Sequence, residues 1–278
     1  MRTSPNVRSC RCASGKPWSI GARQPADSAN LVGVVCEDAD LDYWPAPEGN
    51  PPVTTYLLVP GAWHGGWWYD PVVPALEEAG HTVIALTPLG LDPDANPPQQ
   101  VITLDDHVHQ AIQALRAVPA EVDGKRDAVL VGHSYGGSII SGVADAECDR
   151  IRALVYLDAL MPENGDSSWS MTNDEEHAWY VDGSARTGAF VDPLPFFDRR
   201  ARPHPLATLM QASKLTGAWR RVPIKHYVEA TAWPGESPLA AVTAKARADE
   251  QVTVHAWDTT HNFMHNASEL VLKLIIDL

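Results

Sequence analysis

The residues Gly132-His133-Ser134-Tyr135-Gly136 stand between an apolar run, Ala128-Val129-Leu130-Val131, and a helix-like stretch over 138–144. A serine hydroxyl is a weak nucleophile until a base takes its proton, and a sharp strand-to-helix turn is one way to aim it out of a sheet edge. Such a turn needs small residues two before and two after the serine, and Gly132 and Gly136 meet that need. The predicted chemistry is nucleophilic attack by Ser134 on an electrophilic carbon, carbonyl carbon above all. The plain alternative, a glycine-rich turn with an idle serine, leaves the strand before it and the helix after it unexplained.

An activated serine requires a base, and chains built around this turn supply the histidine last, in the order serine, acid, histidine. His261 fits: it follows the apolar run 252–257 across Asp258-Thr259-Thr260, and Asn262-Phe263-Met264 lead into a closing helix. His265 is the competitor, one helical turn on. His107 with His109 makes a weak metal pair and no more. For the acid, Asp158 ends the apolar run Val155-Tyr156-Leu157, at the carboxyl end of a strand, where parallel-sheet sites collect. An unpaired carboxylate there is costly to bury, and a histidine partner accounts for it. The alternative is that Asp158 only caps the segment that follows. Glu229 and Glu236 are the other candidates.

The elements that must hold these residues read as repeated β-α units. Short continuous apolar runs mark buried strands at 55–59, 82–86, 128–131, 153–157, 224–230 and 252–257, the pattern of a parallel sheet covered on both faces. Val108, Ile112 and Leu115 make an apolar stripe at helical spacing over 105–117, and 270–276 forms a last helix. More than sixty residues without a strand pattern separate the runs at 153–157 and 224–230, too many for an ordinary connection. They predict a helical lid over 162–222, inserted within an α/β domain spanning 51–278. Residues 1–50, rich in Ser, Arg and Pro, read as a flexible N-terminal extension.

Composition narrows the partners. With 21 Lys and Arg against 35 Asp and Glu, the net charge of −14 disfavours nucleic acid and anionic membranes. No long apolar run suggests a membrane span, and the chain is read as cytoplasmic. Cys10, Cys12, Cys36 and Cys148 are too few and too uneven for a disulfide framework, and no ligand set or nucleotide loop signals a metal or cofactor. A small molecule is the expected partner, and the oligomeric state stays open.

Pro60-Gly61-Ala62-Trp63-His64-Gly65-Gly66-Trp67, Gly80-His81-Thr82-Val83, the serine turn, Leu154 to Pro162 and His261-Asn262-Phe263-Met264 occur in an order that resembles the α/β-hydrolase superfamily. They are similar in particular to its branch of plant methylesterases and hydroxynitrile lyases with their bacterial esterase relatives. The resemblance implies an α/β-hydrolase fold and an oxyanion hole formed by the backbone N–H groups of Ala62 and Tyr135. Pro60 stands where the branch usually has histidine. The usual acid follows the strand at 224–230, yet Thr231-Ala232-Trp233-Pro234 offers no carboxylate, and some members place the acid where Asp158 stands. Trp63, Trp67, Trp169 and Trp179 are candidate substrate contacts, although the same rings could serve as packing anchors. The implied activity is cofactor-free hydrolysis of a small or medium apolar or aromatic carboxylic ester through an acyl-enzyme. A hydroxynitrile lyase is the alternative, disfavoured because Asn262 replaces the lysine that branch uses; a non-hydrolytic tailoring or ligand-binding protein is another.

Overall fold

The computed structural model describes residues 53–119 and 127–278. The expected extension over 1–50, with Cys10, Cys12 and Cys36, lies outside the described residues. In chain order the first elements are β1 (Thr55–Val59), α1 (Val73–Glu78), β2 (Thr82–Ala85), α2 (Leu104–Ala117), β3 (Ala128–His133), α3 (Gly136–Glu147) and β4 (Ile151–Leu157). There follow α4 (Ser168–Met171), α5 (Asp174–Ser184), β5 (Phe190–Val191), β6 (His204–Pro205) and α6 (Leu206–Met210). The chain then continues through β7 (Ile224–Ala230), α7 (Ala240–Ala248), β8 (Thr253–Trp257), α8 (Phe263–Asn266) and α9 (Ser268–Ile275).

Six strands form one sheet in the order β2-β1-β3-β4-β7-β8, and every neighbouring pair is parallel. This is the α/β architecture that the continuous apolar runs predict. Successive side chains in a strand point to opposite faces, so each run feeds two cores. Leu57, Val59, Leu130, Leu154 and Tyr156 pack with Leu115 of α2 and Ile139 and Ile140 of α3. Tyr56, Leu58, Val129, Val131, Val155 and Leu157 pack on the other face with Leu76 of α1 and Val271 and Ile275 of α9. The α2 start is set by a capping box, in which the Thr103 hydroxyl accepts from the Asp106 amide and the Asp106 carboxylate accepts from the Thr103 amide.

Register brings the strand ends together. Val59 pairs with Gly132, His133 with Leu157, Leu157 with Val228 and Ala230 with Trp257. The turns that carry Ala62, Ser134, Asp158 and His261 therefore all leave the carboxyl edge of the sheet, where open α/β sheets place their ligands.

Two details differ from the sequence expectation. Strand β3 runs on to His133, directly up to the serine. The segment between β4 and β7 also holds a small antiparallel sheet, in which Phe190 pairs with Pro205 and Val191 with His204. Two-residue strands are too short to show a period-two pattern, and one of them contains proline. Among the described residues no helix is long and apolar enough to cross a membrane, and no group of three or more His, Cys, Asp or Glu side chains could hold a metal ion.

Candidate active site

Among the described residues, three other than glycine adopt positive φ: Trp63 at 66°, Ser134 at 50° and Asp158 at 42°. Each lies on a turn leaving the carboxyl edge, after β1, β3 and β4 respectively. Left-handed backbone costs on the order of 1–3 kcal/mol for such residues, and it persists where surrounding contacts enforce it. For Ser134 those contacts are its amide donating to Leu157 O at 3.2 Å and its carbonyl accepting from Leu160 N and Gly137 N at 3.0 Å. Close approach of the β1 end explains why Gly136 follows: a Cβ there would lie 2.4 Å from Val59 O and 2.7 Å from Pro60 O. Gly61 plays the reciprocal part, since a Cβ on it would lie 2.8 Å from His133 Nδ1 and 3.0 Å from Ser134 Cβ. The turn that carries Ala62 can thus press against the serine turn.

Pressed together, the two turns leave two amides available. Neither Ala62 N–H nor Tyr135 N–H donates a hydrogen bond among the described residues, although both residues are buried. Amides left without a protein partner can receive an acceptor supplied from outside. The Tyr135 ring is fixed by His107, whose Nδ1 lies 2.9 Å from the phenol oxygen while its Nε2 lies 2.9 Å from Leu89 O. With Nε2–H donating to the carbonyl, Nδ1 accepts from the phenol. Burial pushes the His107 pKa down to about 4, which keeps that donor–acceptor pattern at neutral pH.

His261 lies beyond β8, and its Nδ1 is 2.7 Å from Asp158 Oδ2. Asp158 is fully buried, while the His261 side chain retains part of its exposure. The same Oδ2 accepts from Trp233 Nε1 at 2.9 Å, and among the described residues Oδ1 has no hydrogen-bond partner. The Asp158 amide donates to Val228 O at 2.7 Å, tying the turn to β7. Of the three carboxylates left open by the sequence, Asp158 is the one on His261. Glu229 instead pairs with Arg247, and Glu236 is exposed. His265 is exposed in α8 and does not share the arrangement.

His133, next to the serine, supports the histidine from the other side. Its ring stacks on Trp68 at 4.1 Å and its Nε2–H donates to His261 O at 2.9 Å. Complete burial first, then the neighbouring His261 and His64, holds its pKa well below the ordinary value, so it acts as a neutral donor. His64 has its Nδ1 2.7 Å from Ala62 O, and burial lowers its pKa also. Sequence reasoning assigned no role to His133, His64 or Trp233; only the position of Trp233, where a carboxylate was missing, hinted at its contact.

The four candidate tryptophans meet one set of rings. Trp63 stacks on Trp179 at 3.9 Å, its Nε1 donates to Val191 O at 2.8 Å, and its amide donates to His204 Nδ1 at 3.2 Å. Trp169 stacks on His177 at 4.0 Å and reaches Tyr180 at 6.4 Å. These three rings belong to one aromatic cluster joined through Tyr180. Trp67 joins the same rings from the other side, through His64 at 5.3 Å and Phe197, and the Arg200 guanidinium lies over its ring at 4.2 Å.

The model of an alpha/beta hydrolase family matches residues 56–274. A carbendazim hydrolyzing esterase of Nocardioides sp. is 34% identical over 202 residues, spanning 65% of this chain and 81% of that protein. An alpha-hydroxynitrile lyase of Arabidopsis thaliana is 36% identical over 110 residues, 39% of this chain and 40% of its own length. Among solved structures, an extracellular alpha/beta-hydrolase from a Paenibacillus species, described as sharing homology with tobacco salicylic acid binding protein 2, superposes with a TM-score of 0.65. It is 20% identical and the match covers 81% of this chain and 98% of that one, a likeness of fold.

Proposed function

Because the chain belongs to the alpha/beta hydrolase family, we propose that it hydrolyses a small or medium carboxylic ester with apolar or aromatic substituents, through an acyl-enzyme on Ser134. The observation that carries this reading is the convergence on one sheet edge of a serine at positive φ with a histidine hydrogen-bonded to a buried aspartate. The esterase relative, matched over most of its length, supports ester hydrolysis as the class of reaction.

The steps follow from the atoms. Asp158 Oδ2 accepts from His261 Nδ1–H, which leaves Nε2 as the basic nitrogen. Nε2 takes the Ser134 proton as Oγ bonds to the ester carbonyl carbon, and charge gathers on the former carbonyl oxygen. The unengaged amides of Ala62 and Tyr135 receive that oxygen; losing one such donor typically costs ~10²–10³ in rate. The imidazolium returns its proton to the departing alcohol, the C–O bond breaks and the serine ester remains. Water, deprotonated by the same Nε2, then releases the acid and restores Ser134.

Residues 162–222 serve as the lid in this reading, within a hydrolase domain of 51–278. Trp63, Trp169 and Trp179 give it an aromatic wall for an apolar acyl or alcohol group. A fluorophosphonate should add once, on Ser134, as seen by intact mass and peptide mapping, and Ser134→Ala should neither label nor turn over an activated ester. Label on a different residue, or turnover retained by the folded variant, defeats the mechanism.

A further inference from the structure

Trp63 follows Ala62 in the turn after β1, and each of its polar groups is bonded to the segment between β4 and β7. Its amide donates to His204 Nδ1 at 3.2 Å, its carbonyl accepts from the Arg202 amide at 2.9 Å, and its indole Nε1–H donates to Val191 O at 2.8 Å. Val191 lies in β5 and His204 in β6, so the small two-stranded sheet is what grips the turn. From α5, Trp179 stacks on the indole at 3.9 Å. A tryptophan held at a φ of 66° needs enforcement of this kind, and here all of it comes from one inserted segment.

The bonding around His204 fixes which of its nitrogens carries the proton. The Thr208 hydroxyl donates to Pro205 O at 2.8 Å, so its oxygen is left to accept from His204 Nε2–H, also at 2.8 Å. Nδ1 is then bare and takes the Trp63 amide proton. His204 and Thr208 are completely buried, and burial first, then His107 and His64, pushes the His204 pKa well below its ordinary value. The peptide joining Ala62 to Trp63 is thereby fastened at both ends, its N–H by His204 and its C=O by His64 Nδ1–H at 2.7 Å. That peptide adjoins the Ala62 N–H, one of the two amides that donate no hydrogen bond among the described residues. Without an acceptor the Trp63 N–H would be a buried donor left unpaired, and rotation of its peptide toward another acceptor turns Ala62 with it.

We infer that His204 is a positioning residue for the oxyanion hole: by accepting the Trp63 amide, it lets the lid hold the Ala62 N–H in line for the substrate oxygen. This rests on the ester-hydrolase reading above and deepens it. His204 touches no reacting atom and acts through the Trp63 peptide. The lid segment from Val191 to Thr208 is then a working part of the catalytic edge, and it stays docked while the ester turns over.

The test compares His204→Leu, which removes the acceptor at similar bulk, with His204→Asn, whose Oδ1 takes the place of Nδ1 and still accepts from the Trp63 amide. Each full-length protein is assayed on 4-nitrophenyl butanoate and titrated with phenethyl trifluoromethyl ketone. Ser134 Oγ adds to the carbonyl carbon of that ketone, the serine proton passes to His261 Nε2, and the carbonyl oxygen takes the negative charge. Affinity for the ketone therefore reports the oxyanion donors directly. Losing such a donor outright costs ~10²–10³ in rate, and misplacing one should cost about 10- to 100-fold. His204→Leu should lose that much in kcat with KM little changed, and should bind the ketone more weakly by a similar factor. His204→Asn should recover most of both. Unchanged kcat in His204→Leu overturns the inference, and so does a loss confined to KM. A loss that His204→Asn does not recover also overturns it, because the ring would then serve packing alone. Should His204→Leu fail to fold, Thr208→Val decides: without the Thr208 oxygen, His204 is free to carry its proton on Nδ1, against the Trp63 amide. Its kcat and ketone affinity should then fall severalfold, and unchanged values overturn the inference. If the wild-type protein turns over no ester and Ser134 takes no fluorophosphonate, the hydrolase reading fails and this inference with it; an active wild type with unaffected variants defeats this inference alone.

Discussion

Replacing His107 by glutamine should change how stability depends on pH, by an amount the structure sets. His107 is fully buried in α2, between the Tyr135 phenol at 2.9 Å and Leu89 O at 2.9 Å, and burial lowers its pKa from 6.5 to about 4. Because the folded value lies below the unfolded one, the unfolded chain binds an extra proton between pH 6.5 and about 4. The stability this neutral ring allows is complete above pH 6.5 and is lost as pH falls through that window. A separation of that size corresponds to roughly 3 kcal/mol over the whole window, at about 1.4 kcal/mol per pH unit inside it. His133 and His204, both buried with pKa values held far below normal, add slopes of the same sign. Glutamine can still donate to Leu89 O and accept from the Tyr135 phenol without titrating. Urea unfolding of both proteins at several values between pH 6.5 and 5 should therefore show a shallower loss in His107→Gln, by close to one proton. An unchanged slope, with two-state unfolding in both proteins, would refute the assignment of His107 as a buried neutral donor and acceptor.

Other expectations concern the catalytic edge. Asp158→Asn places an amide on His261 Nδ1 and favours the wrong tautomer, so kcat for an activated ester should fall on the order of 10³–10⁴-fold while Glu229→Gln, which breaks only the Arg247 pair, stays near wild type. Trp233→Phe removes the second donor to Asp158 Oδ2; a hydrogen bond to a charged group is worth about 1.5–3 kcal/mol, and kcat should drop roughly 10- to 100-fold with KM little changed. Gly136→Ala pushes a Cβ against Val59 O and Pro60 O, backbone atoms that cannot yield cheaply, and should lower stability by about 1–3 kcal/mol in a urea titration while impairing turnover by displacing the Ala62 turn.

The sheet was legible because β1, β3 and β4 are short apolar runs buried on both faces, whereas β7, with Lys225, His226 and Glu229, and the edge strand β8 carry the signal only in part. The serine turn was legible because Gly132 and Gly136 are the only residue type that fits their surroundings. Trp63 was ambiguous for a physical reason: one ring can both wall a pocket and lock a loop, and only its bonds to Val191 and His204 show the second part. The neutral His133 depends on a contact with His261, more than a hundred residues on in sequence, and no local pattern encodes it. The β5–β6 pair falls below the length at which a strand period exists.

The place of the carboxylate on His261 follows from the sheet itself. Strands β4 and β7 are neighbours in register, with Leu157 opposite Val228, so the residue after either strand stands at the same edge, about 4.8 Å from its counterpart. A carboxylate can therefore leave the end of β7 for the end of β4 and still meet a histidine arriving from β8. At the end of β4 the carboxylate is enclosed, one oxygen unpartnered among the described residues, and positive φ is imposed on its own backbone. The segment after β7 supplies Trp233, whose indole N–H offsets part of that desolvation on the oxygen that also faces His261. The positive φ at Asp158 and the indole after β7 thus bear on one carboxylate: the turn sets where it leaves β4, and the Trp233 N–H binds the oxygen that also faces His261.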